Sequence, residues 1–167
     1  MKGGNAESLD QALAVEAVDK LLNFYLPWIK KAVSSLNEED VWTRPNEKSN
    51  SIGNLLLHLN GNVRQWIIHG LGGIDNYRQR DLEFSTRDGI VAKELLNLLS
   101  KTVEEACDII SGFTDENMLL ESKTIQGFET TTFAAIFHVV EHFAYHTGQI
   151  VWIAKAHSDE DLKFYRL

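Results

Sequence analysis

Apolar residues recur along most of this chain at intervals of three and four, the period of α-helices packed by one face. The first such stretch begins at Ser8, an N-cap residue with Gln11 three positions on as the partner of a capping box. It carries Leu9, Leu13, Ala17, Leu21, Phe24, Trp28, Val33 and Leu36. Pro27 falls inside the pattern and predicts a kink or break near Phe24–Leu26, because proline lacks the N–H and crowds the preceding turn. Asn37 is expected to cap the C-terminal end. Residues 37–50 are polar, contain Pro45, and read as a connector anchored by Val41 and Trp42.

The second stretch starts at Asn50 or Ser51 and runs to Gly70, with Ile52, Leu55, Leu56, Leu59, Val63, Trp66 and Ile67 on one face. Beside it lies another line: Asn54, His58, Asn62, Gln65 and His69. Arg64 is the helix's only formal charge. A solvated face normally holds Lys and Glu, so this uncharged polar line is expected to be buried or to line a cleft, where polar groups must find partners. Residues 70–87, with Gly70, Gly72, Gly73 and the run Arg78-Gln79-Arg80-Asp81-Leu82-Glu83, form a long connection, either a crossover strap or a lid. Arg78 and Arg80 read as solvated loop charges.

The third helix is expected over residues 88–111, with Val91, Leu95, Leu98, Val103, Ala106 and Ile110 inward, Cys107 as small core filler and Gly112 as the stop. Residues 113–130 read as a mixed loop with a short hairpin around Gly127. A fourth helix begins at Thr131 or Thr132, either a good N-cap, and continues to His157. Phe133, Ile136, Phe137, Val140, Phe143, Ala144, Val151 and Ala154 give it a broad apolar surface, and between Thr131 and Ala154 its only formal charge is Glu141. Such a helix should be largely enclosed. The four stretches together predict an all-α fold, one domain over residues 1–167.

Composition narrows the setting. Hydrophobic content of 44% and charged content of 24% are those of an ordinary globular protein. A single cysteine excludes an internal disulfide and a thiolate-rich zinc site, and fits a reducing cytoplasm. The start, Met1-Lys2-Gly3-Gly4-Asn5, lacks the apolar core of a signal peptide. No run approaches the ~18 apolar residues of a membrane span. A net charge of −8 argues against nucleic acid as partner. A small-molecule substrate is expected as partner.

The chemistry concentrates in the fourth helix. His138, His142 and His146 place three of the six histidines in nine residues, spaced four and four. On a helix this stacks the rings on one face, successive Cβ atoms ~5–6 Å apart. Two such rings can grip one metal ion. Three cannot readily do so, since eight residues at about 1.5 Å each set His138 and His146 roughly 12 Å apart. A further ligand must come from elsewhere, and the uncharged polar line of the second helix is the place to look. His69 and His157, at helix ends, read as structural. A rival pattern overlaps: His138-Val139-Val140-Glu141-His142 matches H-x-x-E-H, the inverzincin protease motif, with Glu141 as base. That reading leaves His58 and His146 without a role, and only 25 residues follow His142 to build the rest of such an enzyme.

The segment Asn50-Ser51-Ile52-Gly53-Asn54-Leu55-Leu56-Leu57-His58-Leu59, paired with His142-x-x-x-His146-x-Gly148-Gln149, resembles the DinB superfamily. The resemblance covers most of the chain, and it implies a four-helix bundle in up-down-down-up order with a long connection between helices two and three, often as a homodimer. It also implies a divalent metal ion, Zn or Ni foremost, held by His58, His142 and His146. His138 falls outside that triad and, with Asn62, Glu141 and Gln149, is a candidate to hold the ligand rings in place. Thr147 stands where the family often has arginine. Well-understood members are thiol-S-transferases using bacillithiol, mycothiol or glutathione, so a low-molecular-weight thiol cosubstrate is implied. The same site would also serve a metal-dependent hydrolase, or a non-catalytic stress or binding protein stabilised by its ion.

Overall fold

Ser8 Oγ accepts the Gln11 N–H at 3.2 Å and starts the first helix in the computed structural model, which describes residues 8–113, 118–158 and 161–164. The fold is mostly helical, with one small two-stranded sheet. Helix α1 covers residues 9–34 in three stretches: α-helical over Leu9–Val18, π-helical over Asp19–Tyr25 and α-helical again over Leu26–Ser34. Pro27 therefore does not break it. The Leu26 N–H bonds Leu21 O, five residues back, and this wider turn ends just before the proline, where the normal ladder would meet its missing donor. Leu9, assigned to the core stripe from the sequence, is 78% exposed.

Asn37 does not cap α1. Its backbone is extended, and its Oδ1 accepts the Asp40 N–H at 2.9 Å as the N-cap of α2, Glu38–Trp42. Val41 is fully buried and Trp42 Nε1–H donates to Ile90 O at 3.1 Å, so this pair anchors the connector as expected. Helix α3, the expected second helix, covers residues 52–69, α-helical over Ile52–Val63 and π-helical over Arg64–His69. Ser51 and Asn54 close a reciprocal capping box at its start. Within the long connection that follows lies a short helix, α4, Arg80–Ser85.

Helix α5, Ala92–Ser111, begins four residues later than the sequence predicts. Val91 caps it without a side-chain bond, and Glu38 Oε2 instead accepts the Ala92 N–H at 2.8 Å. Leu95, Leu99, Val103, Ala106, Cys107 and Ile110 point inward, whereas Val91 and Leu98 are exposed. Leu98 precedes Leu99 by one residue, a rotation of about 100° on a helix, which carries it off the buried stripe. Strands β1, Ser122–Ile125, and β2, Phe128–Thr131, form the hairpin expected around Gly127. Its two turn residues, Gln126 and Gly127, both have positive φ (56° and 79°), as the tight hairpin turn requires.

Thr131 Oγ1 accepts the Ala134 N–H at 3.2 Å and starts α6, Thr132–His157. Its inward stripe is Ala135, Ile136, Val139, Phe143, Ile150 and Ala154. Phe133 and Phe137, expected inside, are exposed, each one residue beyond a buried position. Tyr145 and Trp152 are exposed as well, so α6 is less enclosed than its lack of charge implies. Helix α3 packs against α5, α4 and α6, and α1 against α5 and α6. Leu21, Ile29, Leu56, Leu59, Leu99, Ile110 and Phe143 fill the space between them. No described helix is long and apolar enough to cross a membrane.

The Ser51 cap is the local device that fixes where α3 begins. Ser51→Ala should lower stability by about 1 kcal/mol, measured by urea unfolding. A change within error would mean that the capping box does not hold this end.

Candidate metal centre

Helices α3 and α6 bring together three imidazoles. His58 Nε2 lies 3.1 Å from His142 Nε2, and His146 Nε2 lies 3.2 Å from the same atom. One ligand nitrogen from each ring falls within 4.8 Å of the others. Three nitrogens each about 2.0–2.1 Å from a tetrahedral zinc would sit roughly 3.3 Å apart. The three histidines are positioned to hold a metal ion.

The outer nitrogens decide which face each ring offers. His58 Nδ1–H donates to Glu83 Oε2 at 2.8 Å, and His146 Nδ1–H donates to Gln149 Oε1 at 2.7 Å. Both bonds leave the Nε2 lone pair free toward the centre, the arrangement typical of metal-binding histidines. His142 is different: its Nδ1 is buried without a partner. If its proton sits on Nδ1, three lone pairs converge with nothing between them. If it sits on Nε2, a single N–H serves two acceptors. A cation at the centre removes that mismatch, so the residues present fit a metal ion.

Burial keeps the His142 and His146 rings in the ligating form. Burial pushes His142 down to about 3, and neighbouring His146, His58, His138 and Arg78 add to the effect. Burial also lowers His146, against the raising effect of its bond to Gln149. Neutral imidazole is what a metal ion needs.

His138 sits one turn back and does not join the cluster. Its Nε2 hydrogen-bonds Asn62 Nδ2 at 3.2 Å, and its ring packs on Trp66 at 4.4 Å and on His142 at 5.4 Å. Asn62 thus supports His138 rather than a ligand, and its own Oδ1 is buried without a partner. Gln149 bonds the His146 ring. Glu141 does not, because it lies on the exposed side of α6. With His138 outside the cluster and Glu141 facing outward, the H-x-x-E-H pattern does not assemble a site.

The carboxylate that meets the triad is Glu83, on α4. Its side chain is 8% exposed, and it carries the negative charge that His58 lacks on its own helix. Arg78, read from the sequence as a solvated loop charge, is corrected here. Its side chain is 7% exposed and grips Glu83 at two points, Nε to Oε1 at 2.6 Å and Nη2 to Oε2 at 2.8 Å. A buried arginine beside a buried carboxylate satisfies both, which a loop position could not reveal. Arg80 is exposed, with its guanidinium over the Phe84 ring. Burial would raise the Glu83 carboxyl, but hydrogen bonds from Arg78 and His58 outweigh it and hold the group below its ordinary value.

The polar line of α3 receives this strap. Asn54 Nδ2 donates to Glu83 O and Thr86 O, both at 2.9 Å, while Arg44 Nη2 reaches Asn54 Oδ1 and Phe84 O. Gln65 Oε1 accepts from Arg78 Nη1 at 3.3 Å. Gly61 makes room: a Cβ there would collide with Glu83 Oε1 and lie 2.9 Å from Arg78 Nε. Thr147, in place of the arginine that the resemblance leads one to expect, is buried and returns its hydroxyl to Phe143 O at 2.7 Å.

Residues 12–166 match the model of a family described as a protein of unknown function, DUF1572. No curated protein matches the chain.

Two outcomes follow from this geometry. Protein made without a histidine tag should carry about one divalent ion per chain by elemental analysis. His58→Ala, His142→Ala and His146→Ala should each abolish it, and His138→Ala should leave most of it. A chain that stays metal-free after Zn or Ni is added sinks the centre. Glu83→Gln should weaken metal affinity by roughly 10–100-fold, the usual effect of losing a carboxylate behind a ligating histidine, as read by chelator competition. Unchanged affinity would reduce Glu83 to a strap anchor.

Proposed function

The chain belongs to the DUF1572 family, whose description ends at unknown function, and we propose that it is a DinB-like, divalent-metal-binding thiol-S-transferase. The observation that carries this reading is a donor set made only of imidazoles, with two of the three ring orientations fixed from outside. Three neutral ligands leave a divalent ion its whole charge and an open position. What such an ion supplies is a lowered thiol pKa, so that the nucleophilic thiolate forms at neutral pH.

The chain's own residues do the rest. Glu83 and Gln149 hold the His58 and His146 rings, Arg78 holds Glu83, and Phe84 packs on the His58 ring at 4.7 Å to keep water from that side. In the transfer the sulfur–carbon bond forms as the carbon–halogen bond of a haloarene breaks. The halide leaves with the bonding pair, and the thiol's proton passes to solvent. Cys107 takes no part, because it is buried in α5 and its thiol is pushed up to about 12 by burial first, then by Asp108 and Glu104. We read α1, α3, α5 and α6 as the four helices of a DinB-like bundle in up-down-down-up order. The packing of α3 against both α5 and α6, and the long connection between α3 and α5, support that reading.

The metal-loaded protein should accelerate conjugation of a low-molecular-weight thiol to a haloarene or an epoxide. Cys107→Ser should keep the rate, and His142→Ala should drop it to the uncatalysed level. Bacillithiol, mycothiol, glutathione and coenzyme A all failing to give metal-dependent turnover would leave an ion that ties α3 to α6 without chemistry.

A further inference from the structure

About one helical turn from the triad, between α3, α6 and the connector at residues 45–50, opens a pocket of about 540 Å³, within the usual range for small-molecule sites. Leu55, three residues before His58, and Gln149, three after His146, both line it. Both helices thus run from the triad to the pocket wall within one turn. Tyr145, a second wall, touches the His146 ring edge-on at 5.0 Å between centroids.

Three features of the walls define what fits. Tyr145 and Trp152 are 63% and 67% exposed, and both line the pocket. Seven residues apart, they share one face of α6 about 10 Å from each other along the axis. Between them sits Gly148, where an added Cβ would meet nothing within 4 Å. The gap between two aromatic side chains is thus left open by the absence of a side chain, a shape suited to a flat ring. The third feature is charge. Among the described residues Lys48 is the only formally charged one lining the pocket, in a chain of net charge −8. Among the described residues no carboxylate lies within ion-pair distance of it. Asn46 sets Lys48 in place, accepting the Lys48 N–H on Oδ1 and the Ser49 N–H on its carbonyl, each at 3.0 Å. Gln149 Oε1 is taken by His146 Nδ1–H, and among the described residues no acceptor is bonded to its amide N–H groups.

We infer that this pocket binds an aromatic carboxylate, its ring over Gly148 between Tyr145 and Trp152 and its carboxylate at Lys48. Such a ligand is the planar, acidic part of the electrophilic substrate. That role rests on the thiol-transfer reading, whereas the binding itself does not, since Tyr145, Gly148, Trp152 and Lys48 are not metal ligands.

Isothermal titration of the full chain with 2-naphthoate, and with neutral 2-naphthol as control, tests the inference. One naphthoate should bind per chain, with naphthol at least tenfold weaker. Lys48→Gln should bring the anion down to naphthol's affinity. Gly148→Leu should lose both ligands while keeping metal content and thermal midpoint, because its side chain fills space that the fold leaves empty. His142→Ala should bind naphthoate as the parent chain does. That arm separates the two claims: naphthoate binding without any metal in the parent chain overturns the centre alone, and metal without naphthoate binding overturns the pocket alone. Loss of naphthoate binding in His142→Ala would place the carboxylate on the ion rather than at Lys48, and full binding by Gly148→Leu would remove the ring from the proposed seat. Either result refutes the inference.

Discussion

A carboxylate buried on a surface strap is stable only if each oxygen finds a donor, and in this protein that demand shapes everything around Glu83. Its Oε1 takes Arg78 Nε, and its Oε2 takes both Arg78 Nη2 and His58 Nδ1–H. Removing one partner of such a buried pair typically costs about 3–5 kcal/mol, so the three side chains stand or fall together. The strap's main chain is held as firmly, through Asn54 to Glu83 O and Thr86 O and through Arg44 to Phe84 O. Gly61 follows from the same demand, since any side chain there would occupy the space of the carboxylate. Asn54, His58 and Gln65, from the line of amides and imidazoles along α3, are the seat of this strap.

The centre itself balances burial against charge. Burial first, and then the neighbouring imidazoles, disfavour protonation of His142 and His146, and His142, in the middle, is pushed furthest. The cost of holding neutral rings with converging lone pairs is what a bound cation would repay. Arg78 adds a restraint: by pairing with Glu83 it offsets the negative charge behind His58, so the ligands present no net anion to the ion.

Much of this was legible in the sequence because helical periodicity reports burial directly. The starts at Ser8, Ser51 and Thr131 follow from capping residues whose side chains bond the expected amides. The hairpin follows from Gly127. Where the reading went astray, local pattern met a choice that only packing makes. Phe133, Phe137 and Leu98 are apolar yet lie about one residue off the buried stripe, and periodicity tolerates that error. Pro27 was absorbed by a π turn, which no single residue announces. The histidine triad was legible from spacing and resemblance. Glu83 was not, because it lies 25 residues from His58, in a charged run that looks like solvated loop. One signal was available: a helix with a line of polar, uncharged positions calls for a cover, and residues 78–83 are a charged run in the connection that follows it.

The replacement of the expected arginine by Thr147 has a structural counterpart. Thr147 is buried and bonded back into its own helix, leaving no cation on α6 beside the ligands. A guanidinium nevertheless stands next to the triad, with Arg78 Nη2 3.3 Å from His58 Nδ1. It arrives from the strap, not from the helix that carries the histidine pair. The difference matters for how the centre is held. An arginine on α6 would be fixed by the helix alone, whereas Arg78, Glu83 and the Phe84 ring on His58 are all in place only when the strap is seated on α3. The orientation of one of the three ligands is thereby tied to a segment outside the long helices, and the order of the centre depends on the same contacts that hold the strap down.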